Sequence, residues 1–212
     1  MLFSSIPFLY YFLPMVLAVY FLAPRKAKNT VLLVSSLIFY GWGEPKLLFL
    51  MVFTIVLFYF CGLAIGARPS ARWKKAWLLV SVVISLALLG IFKYADFFIG
   101  SFNTLTGLSI PLLRLTLPVG ISFYTFQSLS YTMDVYRGSV PPQKNLLSFG
   151  AYVSMFPQLI AGPIVRYADI DRELEERTHS WEGFSLGMGR FLVGLGKKVI
   201  LADNFALLMK LF

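Results

Sequence analysis

Apolar stretches long enough to form membrane helices alternate with short polar segments along most of the chain. A helix rises about 1.5 Å per residue, so about 20 apolar residues cross the hydrocarbon core of a bilayer. This pattern predicts three long helices and a shorter one, at Ile6–Leu22, Thr30–Trp42, Leu47–Ile65 and Ala76–Phe92. A turn at Lys93–Asp96 is predicted to follow. Glycines, Pro111 and Arg114 interrupt Phe97–Leu117, which predicts short helices and loops at the outer side of the membrane.

The next segment, LPVGISFYTFQSLSYTMDVYRG at 117–138, combines near-spanning length with a polar face. Pro118 suits a first helical turn, because its missing N–H would have no intrahelical partner there. The resulting helix, ending at Tyr136, would be roughly 28 Å long. Its polar stripe lies within about 80° of arc and comprises Gly120, Tyr124, Gln127, Tyr131 and Asp134. Because such a stripe is costly against lipid, we expect it to face a protein interior or a water-filled cavity.

The pattern becomes irregular after this helix. Leu146–Ile164 is apolar but contains Gly150, Pro157, Gly162 and Pro163, which predict a broken or re-entrant element. Such backbone is tolerated at membrane depth only when it is buried in protein or lines a cavity. Arg166–Glu182 is rich in both acidic and basic residues and predicts a solvated or interfacial helix on the cytoplasmic side. Gly183–Phe212 is again apolar, with a few charges.

Composition supports a membrane protein. Hydrophobic residues make up 58% of the chain and charged residues only 14%, whereas soluble domains carry about 25% charged residues. We therefore predict an all-α, polytopic membrane protein with five to seven membrane-embedded helical segments, one of them broken or re-entrant. No second domain, internal repeat or linker is visible, so residues 1–212 are predicted to form a single membrane domain.

The net charge of +9 is explained by membrane topology. Basic residues cluster at Arg25–Lys28 and Arg68–Lys75, each just beyond an apolar stretch. Short basic loops favour the cytoplasmic side of a membrane. If the N-terminus lies outside the cytoplasm, one crossing before the first cluster and two between the clusters place both of them in the cytoplasm, and we predict this orientation. Nucleic acid is not an expected partner, because no soluble basic face is available to contact phosphates.

The polar stripe supports two interpretations at this stage. Its side chains could be interhelical hydrogen bonds that hold a bundle together, or they could line a substrate passage. Asp134 and Arg137, three residues apart, could form an ion pair at the helix end. His179 lies in a charged segment and is expected to be a solvated loop residue. No catalytic residue is assigned, and no metal-ligand spacing is present.

Three segments, in order, give the chain a specific resemblance. The helix at 117–138, AYVSMFPQLIAGPIVRYADI at 151–170 and GMGRFLVGLGKKVILADN at 187–204 resemble the membrane-bound O-acyltransferases. The likeness is greatest to the bacterial alginate O-acetylation branch, with the teichoic-acid D-alanylation proteins as relatives. The opening segments at 1–22 and 35–45 are similar to that branch too, so the resemblance extends along essentially the whole chain.

The resemblance implies acyl transfer from a cytoplasmic donor, such as acetyl-CoA or an acyl carrier, to hydroxyls of an exported polysaccharide such as alginate. It also implies a bacterial inner membrane location with a periplasmic N-terminus, no bound cofactor, and other acetylation and export proteins as partners. The segment Phe156–Arg166 would help to build the substrate passage. The substrate-binding residues expected on this basis are Tyr124, Gln127, Tyr131, Asp134, Arg137, Gln158 and Arg166.

The chain departs from the family in one respect. Family members are about twice as long, and their essential histidine lies in an apolar context in the C-terminal half, which His179 does not match. The chain therefore resembles the N-terminal half of an acyltransferase, and we expect it to be inactive alone. It could be one piece of a split enzyme, a fragment or an inactive remnant. A transporter or flippase component, or a purely structural membrane partner, remain alternatives from other functional classes.

Overall fold

The computed structural model describes residues 3–67, 70–159 and 162–209, except for the side chains of residues 207 and 208. The described residues are helical and contain no strand, which confirms the all-α prediction. They cluster into two compact units, Ala23–Leu174 on one side and Met1–Leu22 with Glu175–Phe212 on the other. The prediction of a single domain stays a prediction, because such units can be parts of one domain.

Eleven α-helices are assigned within the described residues. In chain order they are α1 Leu13–Leu22, α2 Lys28–Gly43, α3 Leu48–Ala67, α4 Ala71–Leu89, α5 Ala95–Thr106, α6 Ile121–Arg137, α7 Leu146–Ser154, α8 Phe156–Leu159, α9 Tyr167–Glu175, α10 Trp181–Gly196 and α11 Asp203–Leu208. Segments of π-helix precede α1 at Pro7–Phe12, join α4 to α5 at Gly90–Tyr94, and join α10 to α11 at Lys197–Ala202.

Two helices are long and apolar enough to cross a membrane, Leu48–Ala67 and the continuous helix Ala71–Thr106. The first apolar helix, Pro7–Leu22, is shorter. Five to seven membrane-embedded segments therefore stay a prediction. Of the basic loop predicted to be cytoplasmic, Arg68 lies outside the described residues.

The predicted turn at Lys93–Asp96 was wrong. The chain stays helical there, because a π segment widens the helix instead of ending it. The return of the chain occurs later, after α5, where the backbone at residues 107–118 is irregular. The carboxylate of Asp96 holds this return by accepting backbone N–H groups of Leu113 at 2.7 Å and Arg114 at 3.0 Å.

The core of the larger unit forms around α3 and α6. α6 packs against α3 and α4, while α7 packs against α2 and α3. The predicted break in the apolar segment 146–164 is confirmed: α7 ends at Ser154, and α8 begins at Phe156. Residues 160 and 161 of that segment lie outside the described residues. This break is the feature around which the candidate site is built.

Candidate functional site on α6 and the broken element

The start of α6 differs from the sequence prediction. The helix begins at Ile121, and Pro118 lies in the preceding turn, where its carbonyl accepts from the N–H of Ile121 at 3.2 Å. Gly120 causes this late start, because its φ of 76° is left-handed and does not continue a right-handed helix. A Cβ at Gly120 would also lie 2.7 Å from the carbonyl oxygen of Leu159. A glycine here therefore brings α6 and α8 into close backbone contact.

Polar side chains from α2, α6 and α8 compensate for the break between α7 and α8. An unbroken helix would bond the N–H of Phe156 to the carbonyl of Tyr152. Instead, Phe156 donates its N–H to Ser36 Oγ at 3.2 Å. The Tyr152 carbonyl accepts two side-chain amides, Gln127 Nε2 at 2.8 Å and Gln158 Nε2 at 3.1 Å. The predicted residues Gln127 and Gln158 thus meet at one oxygen atom.

Three fully buried tyrosines form a second polar centre beside the break. We refer to Tyr131, Tyr152 and Tyr167 as the tyrosine cluster. The ring centroid of Tyr167 lies 5.0 Å from that of Tyr131 and 5.1 Å from that of Tyr152, both edge-on. Such edge-to-face pairs are favourable beyond the burial of their apolar area. The cluster joins α6, α7 and α9.

Gln143 links two of these phenols. Its backbone N–H donates to Tyr131 Oη at 2.9 Å, and its Nε2 donates to Tyr167 Oη at 2.7 Å. The third phenol, of Tyr152, donates to the carbonyl of Val165 at 2.9 Å. Burial raises the pKa of Tyr167 above its ordinary value, and a hydrogen bond with Asp171 raises it further. The Tyr167 phenol is therefore neutral at physiological pH.

The hydroxyls nearer the start of α6 have fewer partners. Tyr124 and Tyr40 are buried and interact electrostatically with each other. Within the described residues, neither phenol oxygen makes a hydrogen bond of ordinary geometry. Thr125 Oγ1 and Ser128 Oγ are likewise buried and unpaired in the described part of the chain. The predicted residue Tyr124 thus lies in the packed interior, apart from the tyrosine cluster.

The other end of α6 is open to the surface. A groove of about 250 Å³ is lined by three predicted residues, Asp134, Arg137 and Arg166, and by four further residues of α6, namely Phe126, Leu129, Ser130 and Met133. Arg137 and Arg166 are exposed. The expected ion pair between Asp134 and Arg137 does not form within the part of the chain that the structure describes. Asp134 Oδ2 is buried and has no hydrogen-bond partner among the described residues.

The seven predicted residues therefore separate into two surroundings. Tyr124, Gln127 and Tyr131 are buried in helix packing, with Gln158 joined to Gln127. The remaining three lie together in the open groove. Sequence patterns missed Gln143, Tyr152 and Tyr167, because their shared contacts come from separate segments with no common periodicity. Among the described residues, no group of three or more His, Cys, Asp or Glu side chains could hold a metal ion.

Comparison with known proteins decides the family. Residues 34–210, most of the chain, match the family described as MBOAT, membrane-bound O-acyltransferase. The chain belongs to the membrane-bound O-acyltransferase family. The resemblance seen in the sequence is thereby confirmed.

Several curated relatives of this O-acyltransferase family member are similar over nearly its whole length. It is 44% identical to the probable alginate O-acetylase AlgI of Pseudomonas syringae pv. tomato and to that of Pseudomonas aeruginosa, each over 98% of the chain and 41% of the relative. It is 34% identical to the peptidoglycan O-acetyltransferase of Helicobacter pylori, over 97% of the chain and 45% of the relative. The chain thus spans less than half the length of these relatives. No solved structure matches it.

Proposed function

We propose that this chain is part of an enzyme that transfers an acetyl or other acyl group to hydroxyls of an exported polysaccharide such as alginate. The observation that carries the proposal is the similarity of 97–98% of the chain to proteins named probable alginate O-acetylase AlgI and to a peptidoglycan O-acetyltransferase. In such a transfer the hydroxyl oxygen bonds to the acyl carbon, the donor's carbon–sulfur bond breaks, and the hydroxyl proton passes to a base. No residue of this chain is assigned as that base.

The geometry supports different roles for the packed residues and for the open groove of the larger unit. The tyrosine cluster and the two glutamines hold a broken backbone in place with hydrogen bonds rather than leaving it unsatisfied. The groove beside them offers two exposed guanidinium groups and a carboxylate, which suits a polar or anionic ligand. We propose that the groove contacts substrate and that the packed residues fix its shape.

The proposed orientation places the enzyme in the bacterial inner membrane with its N-terminus in the periplasm. Both basic segments then lie in the cytoplasm, as does the end of α6 that carries Arg137. An acyl donor such as acetyl-CoA or an acyl carrier would approach from that side. The enzyme would contact the exported polysaccharide, and its other acetylation and export proteins, on the periplasmic side.

Cysteine labelling in sealed cells tests this orientation. In a Cys61→Ala background, Ser70→Cys is expected to resist membrane-impermeant thiol reagents until lysis, because Ser70 lies within the basic segment Arg68–Lys75. Glu44→Cys is expected to react from outside. Labelling of Ser70→Cys in intact cells would show the inverted topology and remove the proposed route for a cytoplasmic donor.

A segment exchange tests the activity. Residues 1–212 replace the matching segment of the Pseudomonas aeruginosa relative in a strain that lacks its own copy, and the acetyl ester content of the exported polymer is measured. We expect the chimera to restore acetylation and the chain alone to give none, since it covers 41% of that relative. The relative lacking the segment is the matched control. A chimera that accumulates in the membrane without acetylating the polymer would contradict the proposal.

A further inference from the structure

The smaller unit contains a pocket that the proposed function does not use. It has a volume of about 470 Å³ between α1 and the start of α10, and its lining residues are Leu17, Ala18, Phe21, His179, Ser180, Trp181 and Phe184. All of them belong to the unit formed by Met1–Leu22 and Glu175–Phe212. Pockets of about 300–1,000 Å³ are typical of small-molecule sites. This pocket is therefore large enough to hold a ligand.

Apolar side chains form most of the pocket wall. Leu17 and Phe21 are four residues apart, so they are neighbours on one face of α1. Ala18 lies on the same face, and its short side chain leaves space beside them. Phe184 of α10 faces this wall, with its ring centroid 5.8 Å from that of Phe21. Such a lining suits an aliphatic chain.

Polar groups border the pocket where the chain enters α10. His179, expected from the sequence to be a solvated loop residue, is exposed but lies edge-on to the rings of Tyr20 and Phe21, with centroids 5.6 Å apart in both pairs. The guanidinium of Arg177 lies 5.9 Å from the centre of the Tyr20 ring. A cation–π contact of this kind holds the guanidinium against the aromatic face. An apolar pocket with a cation at its border suits a ligand with an anionic head and an aliphatic tail.

The position of the pocket along the chain indicates which molecules can reach it. α1 ends at Leu22, and the basic segment Arg25–Lys28 follows, which is typical of a membrane boundary. Trp181 lines the pocket and is 88% exposed. Tryptophan is enriched where a membrane protein passes from hydrocarbon to water. At this depth the surrounding molecules are phospholipids, whose phosphates lie at the boundary and whose acyl chains lie below it.

We infer that this pocket binds one phospholipid of the bilayer, with an acyl chain inside the pocket and the phosphate beside Arg177. The guanidinium donates charge-assisted hydrogen bonds to the phosphate. The chain replaces solvent against Leu17, Phe21 and Phe184. A protein helix is a poorer match, because a helix about 10 Å wide occupies roughly 850 Å³ over two turns, nearly twice the volume of the pocket. This lipid site is independent of the acyl group that the enzyme transfers.

Quenching of tryptophan fluorescence tests the inference. The purified chain in detergent micelles is titrated with phosphatidylglycerol whose acyl chains carry bromine, which quenches a tryptophan that it approaches closely. Of the four tryptophans, only Trp181 lines this pocket. We therefore expect quenching that saturates in the parent chain, and a smaller quenched fraction in Trp181→Phe. Equal quenching in the two proteins would overturn the inference.

Ala18→Phe separates a bound lipid from lipid that only surrounds the protein. The added ring fills the pocket from α1, so the lipid concentration at half-saturation should rise about tenfold. Ala87→Phe is the matched control, because Ala87 is exposed on α4 and does not line the pocket. It should be quenched like the parent chain. Identical titrations of all three proteins would show non-specific contact and overturn the inference. Helical circular dichroism and a single gel-filtration peak confirm that the variants fold.

Arg177→Gln tests the contact with the phosphate. Brominated phosphatidylglycerol should bind this variant about fivefold to tenfold more weakly than the parent chain, because a charge-assisted hydrogen bond is lost. Brominated diacylglycerol has the same chains without a phosphate and should bind both proteins equally. An equal change for the two lipids would overturn the assigned contact.

Light scattering of the detergent-solubilised protein tests a different occupant, a second copy of this chain. We expect the parent chain and Ala18→Phe to have the same molar mass. A dimer of the parent chain that Ala18→Phe abolishes would show that a second copy covers the pocket, and the inference of a lipid site would fail.

Discussion

The two ends of α6 show how one helix can serve packing and binding at once. Toward its start and middle, Tyr124, Gln127 and Tyr131 are buried against other helices. At its end, Asp134 and Arg137 line an open groove with Arg166. All the α6 residues except Arg137 belong to the stripe recognised in the sequence. The same polar face therefore changes role where it leaves the helix bundle.

The two ends of α6 differ in the hydrogen-bond partners of their polar side chains. Gln127 satisfies a carbonyl that the break between α7 and α8 leaves without its helical partner. Tyr131 accepts a hydrogen bond from the backbone of Gln143. Removing such partners leaves buried polar atoms unsatisfied, which is costly. In the groove, Arg137 and Arg166 reach solvent, so their replacement should affect ligands more than stability.

The largest expected loss of stability comes at the start of α6. Gly120→Ala places a Cβ against the Leu159 carbonyl and forces a left-handed conformation on a side-chain-bearing residue. These effects should lower the free energy of unfolding by about 2–4 kcal/mol. Thermal unfolding in detergent, followed by circular dichroism, measures the change. Gly100→Ala is the control, since nothing lies within 4 Å of its Cβ position in α5. Equal melting temperatures would show that α6 and α8 are not in close backbone contact.

Gln127→Leu should produce the next largest effect. The leucine is similar in size but cannot donate to the Tyr152 carbonyl, so we expect a loss of about 1–3 kcal/mol. Gln158→Leu provides the comparison within the same hydrogen-bonded pair. It should cost less, because Gln158 is only partly buried and its bond is longer. If Gln127→Leu leaves the melting temperature unchanged while ligand binding falls, Gln127 lines a passage instead of packing.

Tyr152→Phe and Tyr131→Phe test whether the tyrosine cluster positions Arg166. Each variant keeps its ring and loses a hydrogen bond, so each should destabilise the protein by about 1 kcal/mol. Only the Tyr152 phenol holds the backbone next to Arg166. In the segment-exchange chimera, we therefore expect acetylation of the exported polymer to fall in Tyr152→Phe and to persist in Tyr131→Phe. A parallel loss in both variants would indicate a general structural role.

Arg137→Gln should have the smallest effect on stability. Its side chain is exposed and makes no ion pair with the described residues, so the free energy of unfolding should change by less than about 0.5 kcal/mol. Chemical unfolding of the purified protein measures this directly. A large destabilisation would place Arg137 in the packed part of the molecule and remove the contrast between the two ends of α6.

Local patterns in the sequence were sufficient for several features of the fold. Apolar length and composition predicted helices throughout, and Pro157 and the glycines near it predicted the break after α7. The period of about 3.6 residues per turn placed Tyr124, Gln127, Tyr131 and Asp134 on one face. The helix predicted to end at Tyr136 ends one residue later, at Arg137. Each of these features depends on residues that are close together in the chain, so the sequence alone could determine them.

The tertiary structure decided what these features contact. Gly120 has a left-handed φ and lies against the carbonyl of Leu159, so α6 begins after it instead of at Pro118. A π segment carries the helix past Lys93. Gln143, Tyr152 and Tyr167 meet through packing of separate helices, and no spacing rule relates them. A polar side chain on α6 either forms a hydrogen bond within the bundle or remains available to a ligand. Which of these occurs depends on groups from distant parts of the chain, and only long-range packing determines those neighbours.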